Sequence, residues 1–211
     1  MIRCHPQWLR LRKLLDEGRI GDLRSVIGIF SYFNVDPKNI RNQPDAGGGG
    51  LMDIGCYLIQ AARVGFAKQP IRVVALMELD PELNVDRLAS ALLDFPGGHA
   101  VFTCSTQLIP YQRVHFLGTR GRIEIEIPYN SPNDHPTRLF IDETGDKLGT
   151  GVITETFPTC DQYTLQGEAF SQAILNDTAV PVPLEEGIKN MAVIDAAFKS
   201  ANSGRWEAVQ G

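Results

Sequence analysis

The sequence predicts an α+β fold: a large, mainly antiparallel, open-faced sheet with helices packed on one face. Three observations carry this. Strand-type patterning is massed between Ile71 and Phe157, helical periodicity lies before and after that block, and no repeat, low-complexity tract or linker divides the 211 residues. Strands gathered together with helices outside them favour a layered α+β arrangement over alternating βαβ units. One domain over residues 1–211 is expected.

Taken in order, residues 6–17 place Trp8, Leu11, Leu14 and Leu15 at helical spacing, and Gly18 is a natural stop. Residues 22–33, DLRSVIGIFSYF, are rich in β-branched and aromatic side chains and read as a long strand. Pro37, Pro44 and the run Gly47-Gly48-Gly49-Gly50 mark 34–50 as a loop. A helix of about four turns should follow, from near Gly50 to near Val64. Arg122 to Ile127 alternates polar and apolar strictly, as a strand wet on one side does. Phe95–His99 and Gly118–Gly121 carry turn chemistry. Two helices close the chain, over about 161–175 and about 184–200, the second ending before Gly204. The sheet face away from the helices would show Arg122, Glu124 and Glu126 on one strand but Thr103, Ser105 and Gln107 elsewhere. Left half uncovered, so large a sheet points to a homo-oligomer formed through that face.

Composition narrows the partners. A net charge of −5 argues against nucleic acid and anionic membrane. No apolar run reaches membrane-spanning length, and MIRCHPQWLRLRKL has no signal-peptide core. Cys4, Cys56, Cys104 and Cys160 are scattered without a CxxC pair, which fits reduced thiols in a cytoplasmic protein. His99, His115 and His135 are too dispersed to suggest a metal site.

The chemistry concentrates in GGGGLMDIGCY. On a regular helix Leu51, Ile54, Gly55, Leu58 and Ala62 form a core stripe, while Asp53, Tyr57 and Gln60 fall within about 60° of one another opposite it. An ordinary solvated face explains such a trio; so does the wall of a cleft, with a carboxylate and a phenol as an acid/base pair. The glycines allow close backbone approach, and free N–H groups at a helix start attract anions.

Several segments together resemble the Gfo/Idh/MocA oxidoreductase family. They are HPQW near the start, the strand ending IFSYF, Arg41, GGGGLMDIGCY, Gly118-Thr119-Arg120-Gly121, YTLQGEAF at 163–170 and NMAVIDAAFKSANSG at 190–204. The resemblance implies a C-terminal α+β domain that shapes a substrate pocket and an oligomer interface, beside a Rossmann domain binding NAD or NADP. It implies hydride transfer to or from a sugar, inositol or related polyol, with Tyr57 exchanging the proton and Asp53 orienting and polarising it. A phenol titrates near pH 10 unless perturbed, so Tyr57 would need a cationic neighbour to act as a base near neutrality. The family supplies that neighbour as a lysine in a Glu-Lys-Pro motif.

The chain departs from the family in having neither G-x-G-x-x-G nor Glu-Lys-Pro. It starts almost where the family's second domain starts, and is therefore expected to be a fragment, a mis-started gene model or a half that needs a partner chain. No cofactor-binding residue is expected in it. Arg41 is a candidate to reach the pocket, as is Tyr163, which opens the penultimate helix. Arg3 and His5 are candidates near the domain junction, although His5 before Pro6 equally suits a helix start. The alternative function is a non-catalytic oligomerisation or sugar-binding module descended from such an enzyme.

Overall fold

A computed structural model describes residues 1–210. Its strands are β1 (Leu23–Phe33), β2 (Arg72–Leu79), β3 (Asp86–Phe95), β4 (Gly98–Ser105), β5 (Gln107–Gly118), β6 (Arg122–Ile125), β7 (Thr137–Asp142), β8 (Ile153–Phe157) and β9 (Glu207–Ala208). They form one nine-stranded sheet in the order β8-β7-β6-β5-β1-β4-β3-β2-β9. β1 is central, parallel to β4 and antiparallel to β5, and the remaining pairs are antiparallel. The α+β prediction holds.

The helices are α1 (Pro6–Asp16), α2 (Cys56–Phe66), α3 (Gln162–Leu175) and α4 (Leu184–Ser203). α1, α2 and α4 lie against the sheet, α2 over β1 and α4 over β2. Gly28 lets α2 come close, since a Cβ there would stand 2.5 Å from Leu58 Cδ2. α3 instead packs mainly on the short turn Ile2–Cys4 and leaves Phe170, Ile174 and Leu175 exposed. Beneath α1 and α2, Trp8 meets Phe116 edge-on at 6.3 Å, and Tyr129 stacks on Phe30 at 4.9 Å.

Three local expectations change. β9 was not foreseen, because two residues carry no period. The alternating strand from Arg122 stops at Ile125 rather than Ile127, because side chains of α1 take the next backbone carbonyls. Gln7 Nε2 donates to the Ile127 carbonyl at 2.8 Å and Trp8 Nε1 to that of Pro128 at 2.7 Å. The helix expected from Gly50 opens with a π-turn, Leu51–Gly55, in which the Cys56 N–H reaches back five residues to the Leu51 carbonyl. The core stripe survives this, with Leu51, Ile54, Leu58 and Ala62 all buried.

The uncovered face is divided rather than uniform. Register aligns Ile27 with Val101 and Val101 with Leu92, an apolar row toward β3. On the other side of β1, Arg113 pairs with Glu124 at 3.2 Å and Arg138 with Glu126 at 2.6 Å.

Candidate functional site

Asp53 is fixed by groups from two other segments. Tyr32, near the end of β1, donates from Oη to Asp53 Oδ2 at 2.5 Å. Arg41, in the loop that follows, donates from Nε to Oδ1 at 2.9 Å. Strand alternation aims Tyr32 to the helix side with Val26, Gly28 and Phe30, under the turn that carries Asp53. Arg41 is held nearby because its own carbonyl accepts the Gly49 N–H at 2.9 Å. Arg41, a candidate to reach the pocket, is thus engaged by Asp53, a contact its position in the sequence did not indicate.

Tyr57 goes elsewhere. Its ring packs 5.9 Å from Phe30 and 5.8 Å from Tyr129, and its Oη donates to Met1 Sδ at 3.7 Å. The alignment of Asp53 with Tyr57 expected of a regular α-helix is altered by the π-turn, which changes the rotation per residue. Asp53 bonds Tyr32 and Arg41 and acts on Tyr57 through space. Burial first, then Cys56, Tyr163 and Asp53, push the Tyr57 phenol up to about 12. Tyr32 is also raised, first by burial and then by its bond to Asp53. Both phenols are protonated near neutrality.

Tyr57 and Gln60 line a cleft of about 840 Å³ between α2 and α4, with Met52, Glu186, Asn190 and Met191. Gln60 also borders a smaller cavity of about 250 Å³, together with Met1 and Arg3. Arg3 is engaged by Glu186 at 3.2 Å, and the buried Arg63 meets the same carboxylate. Tyr163 stands exposed at the start of α3, its N–H capped by Asp161 Oδ1 at 2.9 Å, and it is near enough to raise Tyr57. Tyr32 borders a different hollow, with Tyr111, Arg113 and Asn130.

His5 is not a pocket residue. It is buried as the N-cap of α1, where Nδ1 accepts the Gln7 N–H at 3.2 Å and Nε2 lies 3.3 Å from Cys160 Sγ. An accepting Nδ1 puts the ring proton on Nε2. Burial lowers its pKa, which keeps the ring neutral.

The glycine run has an occupant of its own. Asp86, at the head of β3, is buried and accepts the Leu51 N–H through Oδ2 at 2.6 Å. A Cβ on Gly49 would stand 2.0 Å from Asp86 Oδ1. The N–H groups that might have drawn a ligand anion thus bind the protein's own carboxylate, and a dinucleotide pyrophosphate does not fit there. Among the described residues no cluster of three or more His, Cys, Asp or Glu is placed to hold a metal.

Tyr32 and Asp86 were not singled out in the sequence. Alternation along IFSYF would have put Tyr32 on the helix side, but only the fold shows which helix residue lies above it. Asp86 carries no local signal.

Residues 8–124, more than half the chain, match the GFO/IDH/MocA C-terminal domain. The chain belongs to the Gfo/Idh/MocA family. Within it, the chain is 42% identical to an uncharacterized oxidoreductase of Rhizobium meliloti, over 99% of this chain and 63% of that protein. It is 33% identical to a D-xylose 1-dehydrogenase (NADP(+)) of Haloferax volcanii, over 97% of this chain and 61% of that one. Among solved structures, an aldose-aldose oxidoreductase of Caulobacter crescentus complexed with glycerol superposes with a TM-score of 0.87 at 26% identity, covering 98% of this chain and 62% of the other. This Gfo/Idh/MocA chain spans the C-terminal part of such oxidoreductases, under two thirds of their length.

Proposed function

We propose that the chain is the substrate-binding and proton-transfer half of an NAD- or NADP-dependent oxidoreductase acting on a sugar or related polyol. The supporting observation is Tyr57, a protonated phenol on the wall of an 840 Å³ cleft, with Asp53 held close by Tyr32 and Arg41. The dinucleotide, which would exchange the hydride, is assigned to no residue here. Tyr57 donates a proton to the substrate oxygen when a carbonyl is reduced, and recovers it when a hydroxyl is oxidised. A phenol raised to about 12 is ready as a donor. Acting as a base, it needs more cationic help than Arg41, which lowers it through space, already gives. Gln60 and Tyr163 would orient substrate hydroxyls, and Arg41 holds Asp53. Sugar-directed relatives support the substrate class.

With a family nucleotide-binding domain joined ahead of residue 1, Tyr57→Phe should lower kcat about 100-fold while the fold is kept. A rate within about twofold of the parent would remove Tyr57 from the chemistry.

The protein is further proposed to be cytoplasmic, in keeping with its four free cysteines, and to self-associate through the open sheet face. Ile27 and Val101, adjacent on that face, are 45% and 44% exposed. Light scattering on the purified chain should give a dimer or larger; a monomer at high concentration would exclude this interface.

A further inference from the structure

Asp86 lies behind the candidate site and does not line the cleft, yet the bonds around it lead to Arg41 and to the backbone of Asp53 itself. Gly49, folded over its carboxylate at φ +117, is the junction. The Gly49 N–H donates to the Arg41 carbonyl at 2.9 Å, and the Gly49 carbonyl accepts the Asp53 N–H at 3.1 Å. One residue further on, Leu51 donates its N–H to Asp86. A shift of the Asp86 carboxylate therefore moves the backbone of Arg41 and of Asp53 together.

The surroundings of Asp86 give it no other task. Among the described residues no basic side chain pairs with it. Cys104 of β4 is the titratable group that feels its charge. Arg87, next along β3, turns to Glu78 of β2. Asp80, at the end of that hairpin, is taken up by Gln107 and by the N–H groups of Glu82 and Leu83. Across the turn, Asp53 faces Tyr32 and Arg41. An acid buried without a counter-charge opposes folding. Its bond to the start of the turn is what it offers in return.

We propose that Asp86 is a positioning residue: clamped on the Leu51 N–H and wrapped by Gly49, its carboxylate sets where Asp53 meets Tyr32 and Arg41. This rests on the reading of Asp53 as part of the site, but it is tested without turnover. In ¹H–¹⁵N spectra of the whole chain, recorded from about pH 8 to about pH 5, the Leu51 and Gly49 amides should step together with the Arg41 Nε–H. The midpoint should lie near 6, where burial has raised Asp86. In Asp86→Asn that step should vanish, and the Leu51 amide should exchange about tenfold faster. A Leu51 step that leaves Arg41 Nε–H unmoved would overturn the proposal, as would a step that persists in the variant. Should Asp86→Asn fail to fold, the wild-type titration decides by itself. Because Arg41 is read directly, failure here leaves Tyr57 untouched, and a silent Tyr57→Phe leaves this coupling standing.

Discussion

On one side of the Leu51–Gly55 turn, Asp53 keeps a fifth of its side chain in solvent and is met by a guanidinium and a phenol. On the other side, Asp86 is sealed under glycine backbone and met by N–H groups alone. The two carboxylates serve one short segment, and their neighbours give them opposite energetics. Where solvent can reach, charge is balanced by charge. Where they cannot, it is balanced by backbone dipoles, and the residual desolvation cost stays with the folded state. A turn can thus be held from behind by a group that weakens the protein.

The severest way to break this contrast is to fill the space between the two sides. Gly49→Ala puts a Cβ 2.0 Å from Asp86 Oδ1, on a backbone at φ +117 that an L side chain rarely adopts. Strain and collision together should cost about 3–5 kcal/mol, read as a lower urea midpoint. A loss below about 1 kcal/mol would mean that Gly49 does not wrap Asp86.

How much of this could be read beforehand follows from the range of the interactions. The α2 core stripe and the α1 contacts of Trp8, Leu11 and Leu14 were legible, because burial imposes a period on nearby residues. The four glycines were legible as a special backbone but not as a cradle for Asp86, which lies dozens of residues away on another element. The π-turn was hidden as well. Leu51 and Ile54 suit a regular helix and a π-turn equally, so the stripe gave no warning of the π-turn that holds Asp53. Tyr32 had its face assigned by alternation, while the identity of its partner depended on how α2 lies across β1.

The contrast is sharpened by pH. Burial raises Asp86 from 3.8 to about 6, so the folded chain holds its proton more tightly than the unfolded chain does. Stability from this group is therefore lowest above pH 6 and recovers as pH falls through 6 toward 3.8. The span corresponds to something on the order of 3 kcal/mol. Asp86→Asn removes the titration but leaves an acceptor for the Leu51 N–H, and its amide N–H₂ is left to find a partner at a cost of about 1–3 kcal/mol. Those terms nearly offset at neutral pH, so the variant should match or slightly exceed the wild type there. As pH falls toward 4, wild-type stability should gain on the variant by on the order of 3 kcal/mol in urea titrations run side by side. Parallel curves across that window would show that Asp86 is not a desolvated carboxylate, and the difference between the two sides of the turn would disappear with it.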